Sequence, residues 1–242
     1  MQVPTVKPTK FTFETKEILN NFSKEMNSDT AKNSFLRLHK DNSFNKRFSG
    51  LLDAFSDVET VTERMTENIQ ASITLGSQMQ NTEEIDQDLY KQEAKLTKQN
   101  KTDLKNLYVN TRIFLDEYTI FLCWFFDWEI QESSIAKFYY SLKEYNGSDK
   151  CILRFKEENI ERLGDIHKYI SEYRNNEVVH NKNKHEQDTK WFINEMNGAI
   201  RFGGGSSSSV TPQEVLFLMV DYIDYSNKLC FDWLNVDSAS KP

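Results

Sequence analysis

Apolar residues recur three and four positions apart along most of this chain, which is the spacing of amphipathic helices. After a loose arm at residues 1–10, the pattern begins with a short helix from Phe11 to Phe22. Two further stretches, Asn33 to Phe55 and Asp57 to Gln80, each carry one apolar stripe, and only Gly50 interrupts the first. We expect both to be helices that pack through a single face.

The region from Asn81 to Asn146 contains neither glycine nor proline, and it opens with Asn81-Thr-Glu-Glu, an N-cap residue followed by acidic positions. We expect a very long helix here, or two helices in line. Its second half, Ile113 to Trp128, is apolar on nearly all sides. That half is therefore expected in the middle of the core or at a partner interface. The turn Asn146-Gly-Ser-Asp149 ends this helical region.

Three more segments complete the pattern. A helical stripe runs from Cys151 to Arg174, and a short apolar-periodic piece follows from Trp191 to Ile200. The run from Gly203 to Ser209 has the composition of a flexible loop or an engineered linker. Thr211-Pro-Gln-Glu214 is a capping box with proline at the first helical position, so a last helix should begin there. With only 8 glycines and 4 prolines, the chain suits an all-α fold.

Composition limits the class of protein. With 242 residues and 38% hydrophobic content, the chain can bury one sizeable core without disulfides or metal, in one or two domains. Its longest uncharged apolar run, Tyr118 to Phe126, is about half the length of a membrane-spanning helix. We therefore expect a soluble, cytoplasmic protein that does not enter the membrane. The three cysteines are far apart and are expected to be reduced core thiols: Cys123, Cys151 and Cys230.

The net charge of −7 argues against nonspecific wrapping of a long nucleic acid, because such binding needs many phosphates to be neutralised by Lys and Arg. It is still compatible with a small site that has a local positive field. The segment from Arg174 to Lys190 is such a place, since its basic side chains outnumber its acidic ones.

The segment Arg174-Asn-Asn-Glu-Val-Val-His180 contains the side chains with the clearest chemistry. In an uninterrupted helix, Arg174 and His180 would lie about 9 Å apart along the axis and about 120° apart around it. Asn175 and Asn176 are weak helix formers that favour local hydrogen bonds to the backbone. We therefore expect a break or bend that brings Arg174 and His180 together.

An arginine, a polar amide and a histidine suit RNA cleavage. Attack by a ribose 2′-hydroxyl needs a base for its proton, an acid for the leaving 5′-oxygen and positive charge on the phosphate, and no metal is required. One chain offers one such histidine, His180, so a symmetric homodimer with two motifs around one phosphate would supply both groups. Lys182 and Lys184 are the expected contacts to RNA, and no metal or other cofactor is expected.

Residues 173–180, Tyr-Arg-Asn-Asn-Glu-Val-Val-His, resemble the signature of the HEPN superfamily. In that signature an arginine and a polar residue precede a histidine after four to six intervening positions, and five intervene here. The family's motif lies at the end of a core helix in a four- or five-helix bundle, with a further helix packed behind it. The resemblance assigns residues 81–242 to a HEPN-like helical bundle and leaves residues 1–80 as an N-terminal helical region of unexplained role.

The resemblance implies a metal-independent endoribonuclease that dimerises through its motif helices, often a toxin or abortive-infection effector of prokaryotic defence. By position, Arg174 would bind and stabilise the scissile phosphate, Asn175 would fix the geometry, and His180 would be the acid–base group. The family also suggests an antitoxin protein, such as a nucleotidyltransferase, as a partner.

Two other hypotheses stay open. The same fold can serve as an inactive module that binds a nucleotide or a partner protein, and the motif can be a coincidence in a purely structural helical protein. His167, which precedes Arg174 on the same helical face, either contacts the site or packs against neighbours, and packing is favoured. The aromatic cluster from Phe121 to Trp128 is expected to be core rather than a base-stacking platform. The sequence contains no glycine-rich phosphate loop, serine nucleophile elbow or paired-cysteine metal site.

Overall fold

The computed structural model describes residues 8–38, 43–80, 86–130, 132–173, 192–196, 199–203 and 212–239. These ranges contain seven helices and one pair of short strands. They are α1 (Pro8–Met26), α2 (Asp29–Leu38), α3 (Phe44–Gln80), α4 (Gln87–Phe125), α5 (Ile135–Glu144), α6 (Lys150–Tyr173), β1 (Phe192–Met196), β2 (Ala199–Gly203) and α7 (Pro212–Ala239). The protein is an all-α helical bundle, which confirms the predicted fold class.

The strands form a hairpin between α6 and α7 in chain order. β1 and β2 pair antiparallel, with Phe192 opposite Gly203 and Met196 opposite Ala199. The apolar-periodic segment predicted from Trp191 to Ile200 therefore contains all of β1 and the first two residues of β2. Of the predicted flexible run, only Gly203 is described, and residues 204–209 lie outside the described residues.

Helices α3 and α4 form a long antiparallel pair. Phe48 of α3 packs on Phe121 of α4, while Arg64, further along α3, pairs with Asp103, which comes earlier in α4. The Asp103 carboxylate is buried and also accepts a hydrogen bond from Asn68 Nδ2 at 3.0 Å. Because a buried carboxylate needs its partners, these contacts fix the register of two helices whose apolar stripes alone would allow them to slide.

A single hydrophobic cluster contains residues from all seven described helices. Phe22 of α1 is at its centre, with five ring centroids from α3, α4 and α7 between 5.2 and 6.1 Å away. Four of the five aromatic residues predicted as core are buried: Phe121, Phe125, Phe126 and Trp128. The fifth, Trp124, is half-buried and packs against the core from its edge. The core continues across residue 80, and the division of the chain into residues 1–80 and 81–242 stays a prediction.

The predicted boundaries of the second and third helices are wrong. The stretch from Phe44 to Gln80 is one helix of 37 residues, because buried positions continue at helical spacing past Phe55 to Val58 and Thr62. Gly50 does not break it. A methyl group there would meet nothing within 4 Å, and one exposed glycine costs a helix only about 1 kcal/mol.

The prediction of one helix, or two in line, between residues 81 and 146 is also wrong. Helix α4 ends at Phe125, Asp127 adopts a positive φ of 50°, and the chain turns back so that α5 begins beside Asp116 of α4. The backbone N–H of Ile135 at the start of α5 donates to Asp116 Oδ1 at 2.8 Å. The chain turns because Trp128 is buried in the core, 1% exposed, rather than continuing the helix into solvent.

Helix ends follow capping rules where they are described. The cap expected at Asn81 lies outside the described residues, and Asp86 is the N-cap of α4, accepting two backbone N–H bonds. The predicted turn before α6 is confirmed, and Asp149 caps that helix through the N–H of Cys151 at 2.7 Å. Helix α7 begins at Pro212 as predicted, while its expected N-cap Thr211 lies outside the described residues.

Candidate functional site

The motif predicted to carry the chemistry follows directly on α6. Helix α6 ends at Tyr173, and the next described residue is Phe192 at the start of the hairpin. The five site residues predicted from the sequence all lie outside the described residues: Arg174, Asn175, His180, Lys182 and Lys184. The structure therefore defines the end of the bundle from which the motif leaves, and the position of the motif side chains stays a prediction.

Helix α6, which leads into the motif, is anchored to α7 along one side. Arg162 forms an ion pair with Asp221 of α7, and about two turns earlier Arg154 pairs with Asp232 at 2.9 Å. Between them, Phe155 is buried against the bundle. Because these contacts come from several turns of the same helix, they hold α6 in a defined tilt and axial position relative to α7.

A cluster of three rings lies near the C-terminal end of α6. The His167 ring stacks on Tyr139 of α5, with centroids 5.3 Å apart and planes at 19°, and meets Tyr140 edge-on at 5.1 Å. Burial lowers the pKa of His167, and the positive charge of Arg112 on α4 lowers it further. His167 is therefore a neutral imidazole at neutral pH, held by packing, as the favoured hypothesis for this residue predicted.

Arg112 and Asp116 connect this cluster to α4. Arg112 Nε lies 3.5 Å from Asp116 Oδ2, and the other carboxylate oxygen accepts the N–H of Ile135. Burial raises the pKa of Asp116, although the hydrogen bond from Ile135 and the charge of Arg112 oppose that rise. The pKa values of a histidine and a carboxyl at one end of the bundle are thus shifted towards each other. Such shifts are found at catalytic sites and also in structural ion-pair networks.

Sequence reasoning missed Arg112, Asp116, Tyr139 and Tyr140. One signal was available for each pair. Arg112 and Asp116 stand at the i, i+4 spacing of a helical ion pair. Tyr139 and Tyr140 are consecutive on a short amphipathic helix, so the two rings point about 100° apart and only one can lie inward. Their proximity to His167 depends on how the chain turns between α4 and α5, which the sequence pattern did not indicate.

Polar side chains also line the contact between α4 and α7, deep in the core. Tyr118 is fully buried and donates its hydroxyl hydrogen to Asn227 Oδ1 at 2.9 Å. Burial raises the pKa values of Tyr118 and Tyr222 far above the ordinary value for tyrosine. These groups are shielded from solvent, so they specify the packing of the two helices and are not accessible to a substrate.

The three cysteines are free thiols, as predicted. Burial raises the pKa of Cys123 and of Cys151 to about 11, and it also raises that of Cys230 well above the ordinary value for a thiol. Because the thiolate is the reactive form, all three are poor nucleophiles at neutral pH. Their role is in packing.

Two open clefts lie between α3 and α4. The first has a volume of about 530 Å³ and is lined by Glu67, Gln70, Ala71, Thr74, Leu75, Gln78, Gln92 and Leu96. The second, of about 380 Å³, is lined by Ser43, Lys46, Arg47, Gly50, Glu117, Ile120 and Phe121. Neither lining contains a histidine or a cysteine. Within the described part of the chain, no group of three or more His, Cys, Asp or Glu side chains is arranged to hold a metal ion.

In comparisons with family models, curated proteins and solved structures, the chain gives no match. Across the described ranges, no helix is both long enough and apolar enough to cross a membrane. Hypotheses about function therefore depend on the residues of the motif and on the surroundings of α6.

Proposed function

We propose that this protein is a metal-independent endoribonuclease of the HEPN type, a cytoplasmic toxin or abortive-infection effector of prokaryotic defence. Its active site is built from Arg174, Asn175 and His180. The observation that supports the proposal is the position of the motif in the chain. Arg174 is the residue after the end of a core helix, α6, and the following helix α7 packs along α6 through the ion pairs of Arg154 and Arg162.

In the proposed reaction, the 2′-hydroxyl oxygen attacks the adjacent phosphorus and the bond to the 5′-oxygen breaks. His180 of one copy takes the proton from the 2′-hydroxyl, and His180 of the second copy gives a proton to the leaving 5′-oxygen. Arg174 stabilises the charge that develops on the phosphate oxygens, and Asn175 orients it. The products are a 2′,3′-cyclic phosphate and a 5′-hydroxyl end.

A homodimer is part of the proposal, because one chain supplies a single His180 and the reaction uses a base and an acid. RNA is the substrate, and Lys182 and Lys184 contact its phosphates next to the active site. An antitoxin protein that covers the site is the second proposed partner. No metal ion or other cofactor takes part in this chemistry.

The test is cleavage of total cellular RNA by the purified full chain in EDTA, with wild type compared with His180→Ala. We expect His180→Ala to lose about a hundredfold or more of the cleavage rate, the usual contribution of a general acid–base group. His185→Ala is the matched control, because it removes a histidine from the same segment outside the motif. The wild-type products should carry cyclic phosphate and 5′-hydroxyl ends.

Cleavage that persists unchanged in His180→Ala would contradict the proposed site, and cleavage abolished by EDTA would contradict the proposed mechanism. RNA or nucleotide binding without cleavage would support the alternative, an inactive module of the same fold. Light scattering tests the dimer: a protein that stays monomeric at the concentration at which it cleaves would exclude a composite site.

A further inference from the structure

The ring cluster at the end of α6 has one side open to solvent. Tyr140 is 51% exposed, whereas Tyr139 and His167 beneath it are each half-buried. The three rings lie within 5.3 Å of one another, measured between centroids. Tyr140 therefore presents a large aromatic ring that packs on Tyr139 and His167 and is about half exposed to solvent.

The support under Tyr140 is rigid. Lys156 of α6 donates to the backbone carbonyls of Lys143 and Tyr145 at 2.8 Å each, which ties the end of α5 to α6. Near the middle of α5, the ring of Tyr139 lies against Gly164, where a β-carbon would come within 3.4 Å of it. A ring held in this way loses little conformational entropy when a flat ligand stacks on it.

Positive charge lies next to these rings. Lys143 Nζ is 5.9 Å from the centroid of the Tyr139 ring, and the Arg112 guanidinium is close enough to His167 to affect its charge state. Acidic groups offset part of this charge: Asp116 forms an ion pair with Arg112, and Glu144 stands four residues after Tyr140 on α5. The combination of an exposed aromatic ring with neighbouring cations is the chemistry that binds an unpaired base and its phosphate.

The cluster is also close to the start of the motif. His167 is six residues before Tyr173, the last residue of α6, which places it about 9 Å back along the helix axis. The cluster therefore lies close to the helix end after which the motif begins in the chain.

We propose that Tyr140, supported by Tyr139 and His167, is a stacking site for an unpaired nucleobase of single-stranded RNA, with Arg112 and Lys143 near its phosphate. The site holds a nucleotide that neighbours the scissile bond. This inference rests on the proposed function in taking RNA as the ligand. It adds a surface on α5 that the motif does not include.

The test compares Tyr140→Ala with Tyr140→Phe and with Tyr90→Ala, each in the full-length chain carrying His180→Ala so that the probe stays intact. Tyr90 is the matched control, because it is also a helical tyrosine, 53% exposed, near the opposite end of α4 from Arg112. The probe is a short, end-labelled, single-stranded RNA of mixed sequence. We expect Tyr140→Ala to bind it about tenfold more weakly, the usual effect of removing one stacked ring. Tyr140→Phe and Tyr90→Ala should bind like the parent.

Photocrosslinking locates the contact directly. With iodouridine in the probe, the crosslinked tryptic peptide should be Phe138–Lys143, which contains both tyrosines. Equal binding of the probe by Tyr140→Ala and Tyr90→Ala would overturn the inference. Failure of all these proteins, including the His180→Ala parent, to bind the probe would overturn it as well.

In the chain with His180 intact, a Tyr140→Ala variant should cleave RNA with a raised KM and an unchanged kcat. A wild-type chain that binds RNA through Tyr140 without cutting it would refute the ribonuclease and leave the stacking site standing.

Discussion

Replacement of Phe22 by alanine tests whether the N-terminal helices are part of one cooperative core. Phe22 belongs to the region left unexplained by the motif, yet it is 1% exposed and surrounded by five rings from three other helices. Two of those rings, Phe121 and Phe125, are on α4, and a third, Phe231, is on α7. If the core is continuous, a cavity at Phe22 must weaken the whole bundle.

The expected loss of unfolding free energy is about 3–5 kcal/mol, the usual range for a buried phenylalanine replaced by alanine. We expect the upper part of this range for Phe22→Ala. Its neighbours are anchored on separate helices and cannot collapse into the void, and each lost ring pair contributes about 0.5–1.5 kcal/mol beyond area, although not additively. Phe13→Ala is the control. Phe13 lies on the same helix but is 66% exposed, so its replacement should change stability by less than about 0.5 kcal/mol.

Urea unfolding at equilibrium, followed by far-UV circular dichroism and by tryptophan fluorescence, measures both variants. The two signals should coincide in wild type and in Phe22→Ala, with the midpoint of the variant shifted to lower urea. A Phe22→Ala protein within about 1 kcal/mol of wild type would refute the central position given to this residue. Separate transitions for helix content and fluorescence would show that the N-terminal helices unfold on their own.

Three further predictions follow from buried polar contacts. Tyr118→Phe removes the hydroxyl donor to the buried Asn227 Oδ1 and should cost about 1–3 kcal/mol in urea unfolding, because that oxygen is left without its donor. Arg64→Met should destabilise the protein more than Asp103→Asn in the same assay. Arg64→Met removes the cation that pairs with Asp103, whose side chain is only 6% exposed. Asp103→Asn removes the partner of Arg64, whose side chain is 47% exposed and can turn to water. For His167, the folded pKa is lowered. Its contribution to stability is therefore complete above the unfolded pKa of about 6.5 and lost as the pH falls through the lower, folded value. Thermal melting of wild type should lose more stability below about pH 6.5 than that of His167→Gln, and equal losses would show that His167 does not titrate in this way.

Helix type and core membership could be predicted because they depend on periodicity. The stripe that makes Phe121 and Phe125 core residues is present in the sequence, and so is the pattern that predicted the start of α7 at Pro212. Helix boundaries were harder to predict. Gly50 suggested a weak point in α3 that does not exist, because an exposed glycine in a long helix with a buried face is outweighed by that face.

The turn of the chain between α4 and α5 could not be predicted from the local pattern. No glycine or proline marks the end of α4, and the chain turns at Asp127 because Trp128 is buried against Phe126 and Phe138. Such a preference for burial over helix continuation depends on long-range contacts, which periodicity does not contain. The ring cluster around His167 depends on this turn, and for that reason sequence reasoning found His167 but not its two tyrosine partners.

Two independent features are therefore connected through helix α6: the motif follows its last residue in the chain, and Tyr140 packs on His167 within it. The motif at Arg174 was identified from residue types alone, whereas the exposed ring of Tyr140 was identified from the way α5 packs on α6. Neither feature requires the other for folding, since half-exposed Tyr140 contributes little to the core. If the position of Tyr140 beside α6 has no functional reason, Tyr140 should be as dispensable for RNA binding as Tyr90, which has nearly the same exposure and lies near the start of α4. A difference between these two tyrosines would connect α5 with the chemistry that the motif predicts, and would do so without depending on the positions of the motif side chains.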